Sequence, residues 1–180
     1  MRTAYIALGA NLASWAGQPA STLAAAASRL GELGIVRGRS SLYSTLPVGV
    51  TAQPRFLNAV VALDTELEPF QLLEKLLAIE REYGRDRSSS IPNGPRTLDL
   101  DILLLSDLEI REPGLELPHP RLDGRAFVLI PLDEIAAQLK IPGRGKTVAE
   151  LLEALHQSRT GDTNAVVRIE SDSWCALAQP

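Results

Sequence analysis

Residues 94–105 read GPRTLDLDILLL. A Gly-Pro turn and an arginine lead into an apolar strand that two acids, Asp99 and Asp101, interrupt. Side chains alternate along a strand, so both acids project from one face while Leu98, Leu100 and Ile102 point into a core. An unpaired buried carboxylate costs on the order of several kcal/mol or shifts its pKa until it is neutral. The two acids therefore call for a positive partner.

The elements before this strand assign its place. TAYIALG is a short apolar strand ending at Gly9, and GANL turns out of it. Pro19 suits the first turn of a helix whose Leu23, Ala27 and Leu30 share a face, with Gly31 and Gly34 at its end. GRSSLYST alternates like a half-buried strand, and RFLNAVVALDTEL reads as a longer one by its β-branched content. Pro69 opens a second helix with the apolar stripe Leu72, Leu73, Leu76 and Ile79, which Gly84 stops. A polar loop, RDRSSSIPNGPR, then delivers residues 99–105 as the last strand of a βαββαβ series. That order predicts an α+β, ferredoxin-like core: an antiparallel sheet with helices packed on one face. Beyond it, LELPHPRLDGRAFVLIPLDEIA is irregular, TVAELLEAL is a short helix and NAVVRIE a terminal strand. Residues 1–160 are expected to form one domain and 161–180 a C-terminal extension of it.

Composition limits the function. With 180 residues, 45% of them hydrophobic and 22% charged, the chain can bury a real core. A net charge of -4 argues against nucleic-acid partners but leaves room for a local basic pocket. The single Cys175 excludes an internal disulfide framework and a cysteine-built zinc site. No apolar run reaches the ~20 residues of a membrane span, and MRTAYIALGANL has no signal-peptide pattern. A cytoplasmic, monomeric protein without membrane contact is expected.

Two acids on one rigid face suit a hard divalent cation. Magnesium prefers carboxylate oxygens, keeps several waters and completes its shell with phosphates. The D-x-D spacing alone is equally at home on a solvated face or in a salt bridge to Arg96. Arg85, Arg87 and Arg96, however, bracket the preceding loop, and arginine suits bidentate phosphate recognition. Acids for Mg²⁺ beside arginines for anions describe a site for a polyphosphate nucleotide. Upstream, Phe56 and Asn58 share a face and offer one ring and one amide to a flat heterocycle, although a core ring and a turn amide would read the same way. The loop STLPVGV could read a ligand edge through its main chain, and Phe127 offers a second ring. His119 is a candidate acid or phosphate contact, or simply a histidine fixed between Pro118 and Pro120; His156 reads as a surface residue.

Taken in order, AYIALGANL, LYSTLPVG, QPRFLNAVVAL, GPRTLDLDILL and LPHPRLDGRAFVLIPL resemble the hydroxymethyl-dihydropterin pyrophosphokinases of folate biosynthesis, from about Tyr5 to Ile135. The resemblance implies transfer of diphosphate from ATP to 6-hydroxymethyl-7,8-dihydropterin, release of AMP, two Mg²⁺ ions and a ferredoxin-like fold. It carries Asp99 and Asp101 onto the metal ligands. Phe56 and Phe127 fall on the rings that sandwich the pterin, with Thr45, Pro47, Val48 and Asn58 as its hydrogen-bonding frame. Arg85, Arg87, Arg96, His119 and Arg125 fall around the triphosphate, Glu80 near the nucleotide and Ile102 against adenine. The three loop arginines and two acids are the expected catalytic set.

The chain also departs from the family pattern. Asn93 stands where a tryptophan is common before Gly-Pro-Arg, Leu46 where a proline is usual, and Pro120 where some members have tyrosine. A loop without its aromatic seal is expected to close less tightly. The competing readings are a non-catalytic pterin- or nucleotide-binding module and an RNA-binding ferredoxin-like domain. The second needs exposed sheet aromatics and a basic surface, which 4% aromatic residues and an acidic balance do not supply.

Overall fold

The computed structural model describes residues 1–87, 91–158 and 165–175. Its elements in order are β1 (Arg2–Ala10), α1 (Pro19–Leu30), β2 (Ile35–Arg39), β3 (Leu42–Thr45), β4 (Phe56–Thr65), α2 (Pro69–Glu82) and β5 (Asp99–Leu105), then β6 (Ile110–Glu112), β7 (Leu115–Leu117), α3 (Ala126–Ala136), α4 (Val148–Ser158), β8 (Val167–Ile169) and α5 (Asp172–Cys175). β1 lies between β4 and β5, antiparallel to both, and the sheet runs β5-β1-β4-β3-β8 with β2 also on β4. This is the expected βαββαβ core. Its second strand is divided into β2 and β3, both paired to β4, because Ser40 interrupts it: the Ser40 amide donates to the Val60 carbonyl and its hydroxyl accepts from the Val60 amide.

The helices form where the sequence places them. Pro19 and Pro69 occupy first turns, where a missing N–H costs no helical bond. At α2 the Gln71 side chain accepts from the Glu68 amide, and Gly84 ends the helix at φ +84, a conformation most side chains resist. Leu72, Leu76 and Ile79 are buried with Leu23, Ala27 and Leu30 of α1 against Ile6, Leu8, Leu100 and Ile102. Each fully buried leucine contributes roughly 1.5–3 kcal/mol relative to exposure.

The segment read as irregular contributes α3 to the other face, beside α4, the short helix expected over TVAELLEAL. α3 and α4 bury Leu129, Leu132, Val148 and Leu155 against Val60, Leu103 and Leu104. Helices thus cover both faces of the sheet, where the element order had suggested one. α3 was obscured by Pro131, which lies inside it and leaves the Phe127 carbonyl without its helical N–H donor. A register shift opposite Tyr5 and Ile6 makes Leu103 the extra residue of β5, so Leu103 and Leu104 both reach the α3 side. Among the described residues no helix is long and apolar enough to cross a membrane.

Gly34, expected only to end a helix, proves to be a close-approach position. A Cβ there would stand 2.0 Å from the Asp64 carbonyl oxygen of β4, a backbone atom that cannot swing aside. Gly34→Ala is expected to destabilise the protein by roughly 1–3 kcal/mol, the usual range for overpacking. At Gly38 a Cβ meets nothing within 4 Å, so thermal denaturation should show a lower Tm for Gly34→Ala and little change for Gly38→Ala.

Candidate active site

Three strands assemble one floor. Across β1, Gly9 faces Asn58 of β4 on one side and Asp99 of β5 on the other, while Ala7 faces Asp101. Facing residues of antiparallel strands project to the same side, so the amide and the two acids open onto one cavity of about 620 Å³. A Cβ at Gly9 would lie 3.3 Å from Asn58 Oδ1 and 3.9 Å from the Asp99 Cβ. A larger side chain would fill the floor between them.

At one end the cavity suits a flat polar ring. Thr45 and Asn58 are buried, and Asn58 Nδ2 donates to Thr45 Oγ1 at 2.8 Å. Phe56, Phe127, Pro47 and Val48 share that lining. Each ring carries a guanidinium on its face, Arg96 at 5.0 Å from Phe56 and Arg125 at 5.5 Å from Phe127.

At the other end charge dominates. Arg96 Nη1 donates to Asp99 Oδ2 at 2.7 Å, and Arg85 and Arg87 each lie 3.7 Å from Asp99 Oδ1. The bridge to Arg96 is the plainer of the two sequence readings, and it forms. Even so, burial pushes the Asp99 carboxyl above its ordinary range and the like charge of Asp101 adds to this, while the three arginines oppose it. Asp101 has no hydrogen-bonded or ion-paired partner among the described residues. Arg87 makes a two-point bond to Glu80 at 2.7 and 2.8 Å, and Glu80, 1% exposed, also accepts from the Leu100 amide. Burial raises the Glu80 carboxyl against the pull of Arg87 and that amide.

The residues present fit a hydrated divalent cation shared with phosphate. Among the described residues no cluster of three or more His, Cys, Asp or Glu side chains could hold a metal alone. Two carboxylates, one unpartnered and one raised by its neighbour's charge, are the donor set magnesium uses when water and phosphate supply the rest. The buried Nε atoms of Arg85 and Arg96 have no acceptor, which suits an incoming anion.

Of the candidate residues, Thr45, Pro47, Val48, Phe56, Asn58, Arg96, Asp99, Asp101, Arg125 and Phe127 line the cavity, whereas Glu80, Arg85, Arg87, Ile102 and His119 do not. Arg85 and Arg87 reach it through Asp99. Ile102 is 5% exposed in the α1 and α2 core, as its strand parity opposite to Asp101 requires. The expected adenine contact therefore has no open surface here. His156 is exposed on α4.

The family model for 7,8-dihydro-6-hydroxymethylpterin-pyrophosphokinase matches residues 5–137. The chain belongs to this family. It is 46% identical over 153 residues to the 2-amino-4-hydroxy-6-hydroxymethyldihydropteridine pyrophosphokinase of Pseudomonas aeruginosa, covering 83% of this chain and 90% of that one. With the enzyme of that name from Methylorubrum extorquens the identity is 42% over 172 residues, 94% of this chain and 100% of the other. Among solved structures, a Plasmodium falciparum HPPK-DHPS aligns with a TM-score of 0.73 at 17% identity, which speaks to the fold; 94% of this chain spans 49% of that one. The chain is thus a pyrophosphokinase, a diphosphotransferase, of a family that serves folate synthesis.

The pyrophosphokinase fold joins its loops through residues the sequence did not flag. Asn11, 4% exposed, accepts from the Arg96 amide and donates to Gln53 Oε1 and the Pro54 carbonyl, and its own amide donates to the Arg96 carbonyl. Gln53 Nε2 in turn donates to the carbonyls of Val50 and Asn93. GANL and TAQP read as turns, and no local signal marks their amides as partners across the fold. Asn93 itself sits at φ 58, a left-handed conformation that asparagine tolerates better than most residues do. A loop built on this backbone and on Gln53 suits an asparagine at this position.

His119 Nδ1 accepts from the Arg121 amide, which leaves the ring proton on Nε2 as a donor. Burial, with Arg125 and Arg121 nearby, lowers its pKa to about 4. The folded imidazole therefore titrates below the unfolded one, near 6.5. It costs nothing above that pH and removes stability as pH falls from 6.5 toward 4. NMR of the ligand-free protein should show a neutral His119 at pH 6, and His119→Gln should flatten that part of the stability profile. A titration between 6 and 7 would mean that the ring is not buried beside these arginines.

Proposed function

We propose that the chain transfers the terminal diphosphate of ATP to the hydroxymethyl oxygen of 6-hydroxymethyl-7,8-dihydropterin, releasing AMP, as a 2-amino-4-hydroxy-6-hydroxymethyldihydropteridine diphosphokinase. The observation that carries the reading is a single cavity with an amide-and-ring pocket at one end and acids among arginines at the other. The Pseudomonas aeruginosa relative, whose name states this activity, supports it.

In this reading Asn58 and Thr45 present their fixed amide and hydroxyl to the heterocycle edge, and Phe56 and Phe127 stack on its faces once Arg96 and Arg125 swing from the rings to the phosphates. That exchange would couple the two substrates: a ring face is uncovered as its guanidinium finds phosphate. The hydroxymethyl oxygen attacks the β-phosphorus and gives up its proton to solvent, the bond from that phosphorus to the α-phosphate oxygen breaks, and AMP carries that oxygen away. Arg85, Arg87 and Arg96 spread over the charge that builds on the transferring and leaving oxygens. His119 donates from Nε2 without adding charge. Glu80 holds Arg87 and the Leu100 amide, so its part is to position. Asp99 and Asp101 would hold two Mg²⁺ ions, which would supply positive charge against that of the phosphates.

The same reading makes residues 161–180 part of one domain, supported by β8 in the main sheet and Trp174 in the core. A cytoplasmic, monomeric enzyme is part of the same proposal.

The deciding assay is AMP release from ATP. It should require both reduced pterin and divalent metal; binding of pterin without AMP release would leave only a binding module. Asp101→Ala should lower turnover by roughly a hundredfold, the upper end of the cost of losing a group that merely orients a metal ligand. It should leave the Tm unchanged or higher, since it removes a like charge beside Asp99. Phe56→Ala and Phe127→Ala should each weaken pterin binding by roughly 1–3 kcal/mol, as loss of aromatic stacking on a base does. Calorimetry should find a smaller change for ATP, and equal losses for both ligands would assign the rings to the fold.

A further inference from the structure

Ala165 and Val166 line the cavity, although they lie well beyond residues 5–137, where the family model ends. β8 pairs antiparallel with β3, with Ser44 opposite Val167, and β3 pairs with β4, with Thr45 opposite Phe56. Val166 directly precedes β8, and Phe56, Thr45 and Val166 all line the cavity. The acids are far from this edge of the sheet. β5 and β8 are four strand spacings apart in the sheet order, roughly 19 Å.

Two anchors hold this segment. Arg55 donates from Nε to Ser44 Oγ at 2.8 Å and from Nη2 to the carbonyls of Ser44 and Ala165 at 3.2 and 3.1 Å, tying the start of the segment to β3. On the opposite face of the sheet Trp174, 5% exposed, is buried in the core that α1 shares. Its Nε1 donates to the Ser40 carbonyl at 2.9 Å, and Arg39 lies 4.9 Å above its ring. The segment therefore wraps the sheet edge with one end in the cavity and the other in the core.

We propose that residues 165–175 complete the heterocycle end of the active site: Val166 is a binding residue for the flat substrate, and Arg55 and Trp174 are positioning residues that hold it there. The proposal rests on the pyrophosphokinase reading above and adds a determinant of affinity for the ring substrate alone. A wall at this edge touches the heterocycle and stands too far from the acids to touch the phosphates.

The test is calorimetric binding of the reduced pterin and of an ATP analogue, with steady-state AMP release, on the full chain. Val166→Ala should raise the pterin Kd about three- to tenfold, the scale of one or two buried methylenes. The analogue Kd and the kcat at saturating pterin should not change. Arg55→Ala should act in the same direction through the Ala165 carbonyl, and as an exposed residue it should fold. Trp174→Ala should repeat the pattern if its circular dichroism is native. An unchanged pterin Kd in a folded Val166→Ala, or equal losses for both ligands, overturns the proposal. A wild type that neither binds reduced pterin nor releases AMP overturns the pyrophosphokinase reading and this one with it, whereas an active wild type with an indifferent Val166→Ala overturns this one alone.

Discussion

Everything at the site is referred to the pairing of β1 with two antiparallel neighbours. Because β1 is hydrogen-bonded along both edges, its register places Asn58 and Asp99 on either side of Gly9, and a slip of one residue would turn an entire strand over. The alternation of β1 enforces that register. Ala4, Ile6, Leu8 and Ala10 are buried toward α1 and α2, leaving Ala7 and Gly9, two small residues, on the cavity side. The apolar core thereby holds a polar floor to its geometry.

The charges above that floor are balanced unevenly. Asp99 has three arginines within 3.7 Å, and Asp101 has no hydrogen-bonded or ion-paired partner among the described residues. The arginines turn inward to Asp99, to Glu80 and to the aromatic faces. The contacts of Arg96 and Arg125 with the aromatic faces are modest interactions that a phosphate, with its charge and bidentate geometry, can displace. The resting contacts keep the guanidiniums near their task and limit the reorganisation needed when the anion arrives.

What the sequence made legible was whatever had a period or a short-range signature. Helices with proline in the first turn and glycine past the end, strands with alternating or β-branched runs, and acids on one parity all appeared where expected. Four kinds of feature did not. The α3 helix carries Pro131, so its local chemistry argued against the packing that won. Asn11 and Gln53 act through partners 85 and 40 residues away, and sequence spacing holds no record of such bonds. Ile102 was carried to a nucleotide contact by resemblance while its own parity pointed to the core, and in this structure the parity prevails. The residues at 165 and 166 were legible as part of a strand but not as a wall, because that depends on which edge of the sheet the strand joins.

The amide of Gln53 joins two loops that both contribute to the cavity: one that carries Pro47 and Val48 and one that carries Asn93 and leads to Arg96. Two independently moving loops would each lose their own conformational freedom when a ligand orders them. Joined through one side chain they share that loss. A ligand that stills the first loop leaves less disorder for the second ligand to remove, and thermodynamic reciprocity makes the effect equal in either order of arrival. One glutamine, touching neither the acids nor the rings, can thus make the occupancy of each half of the cavity a function of the other.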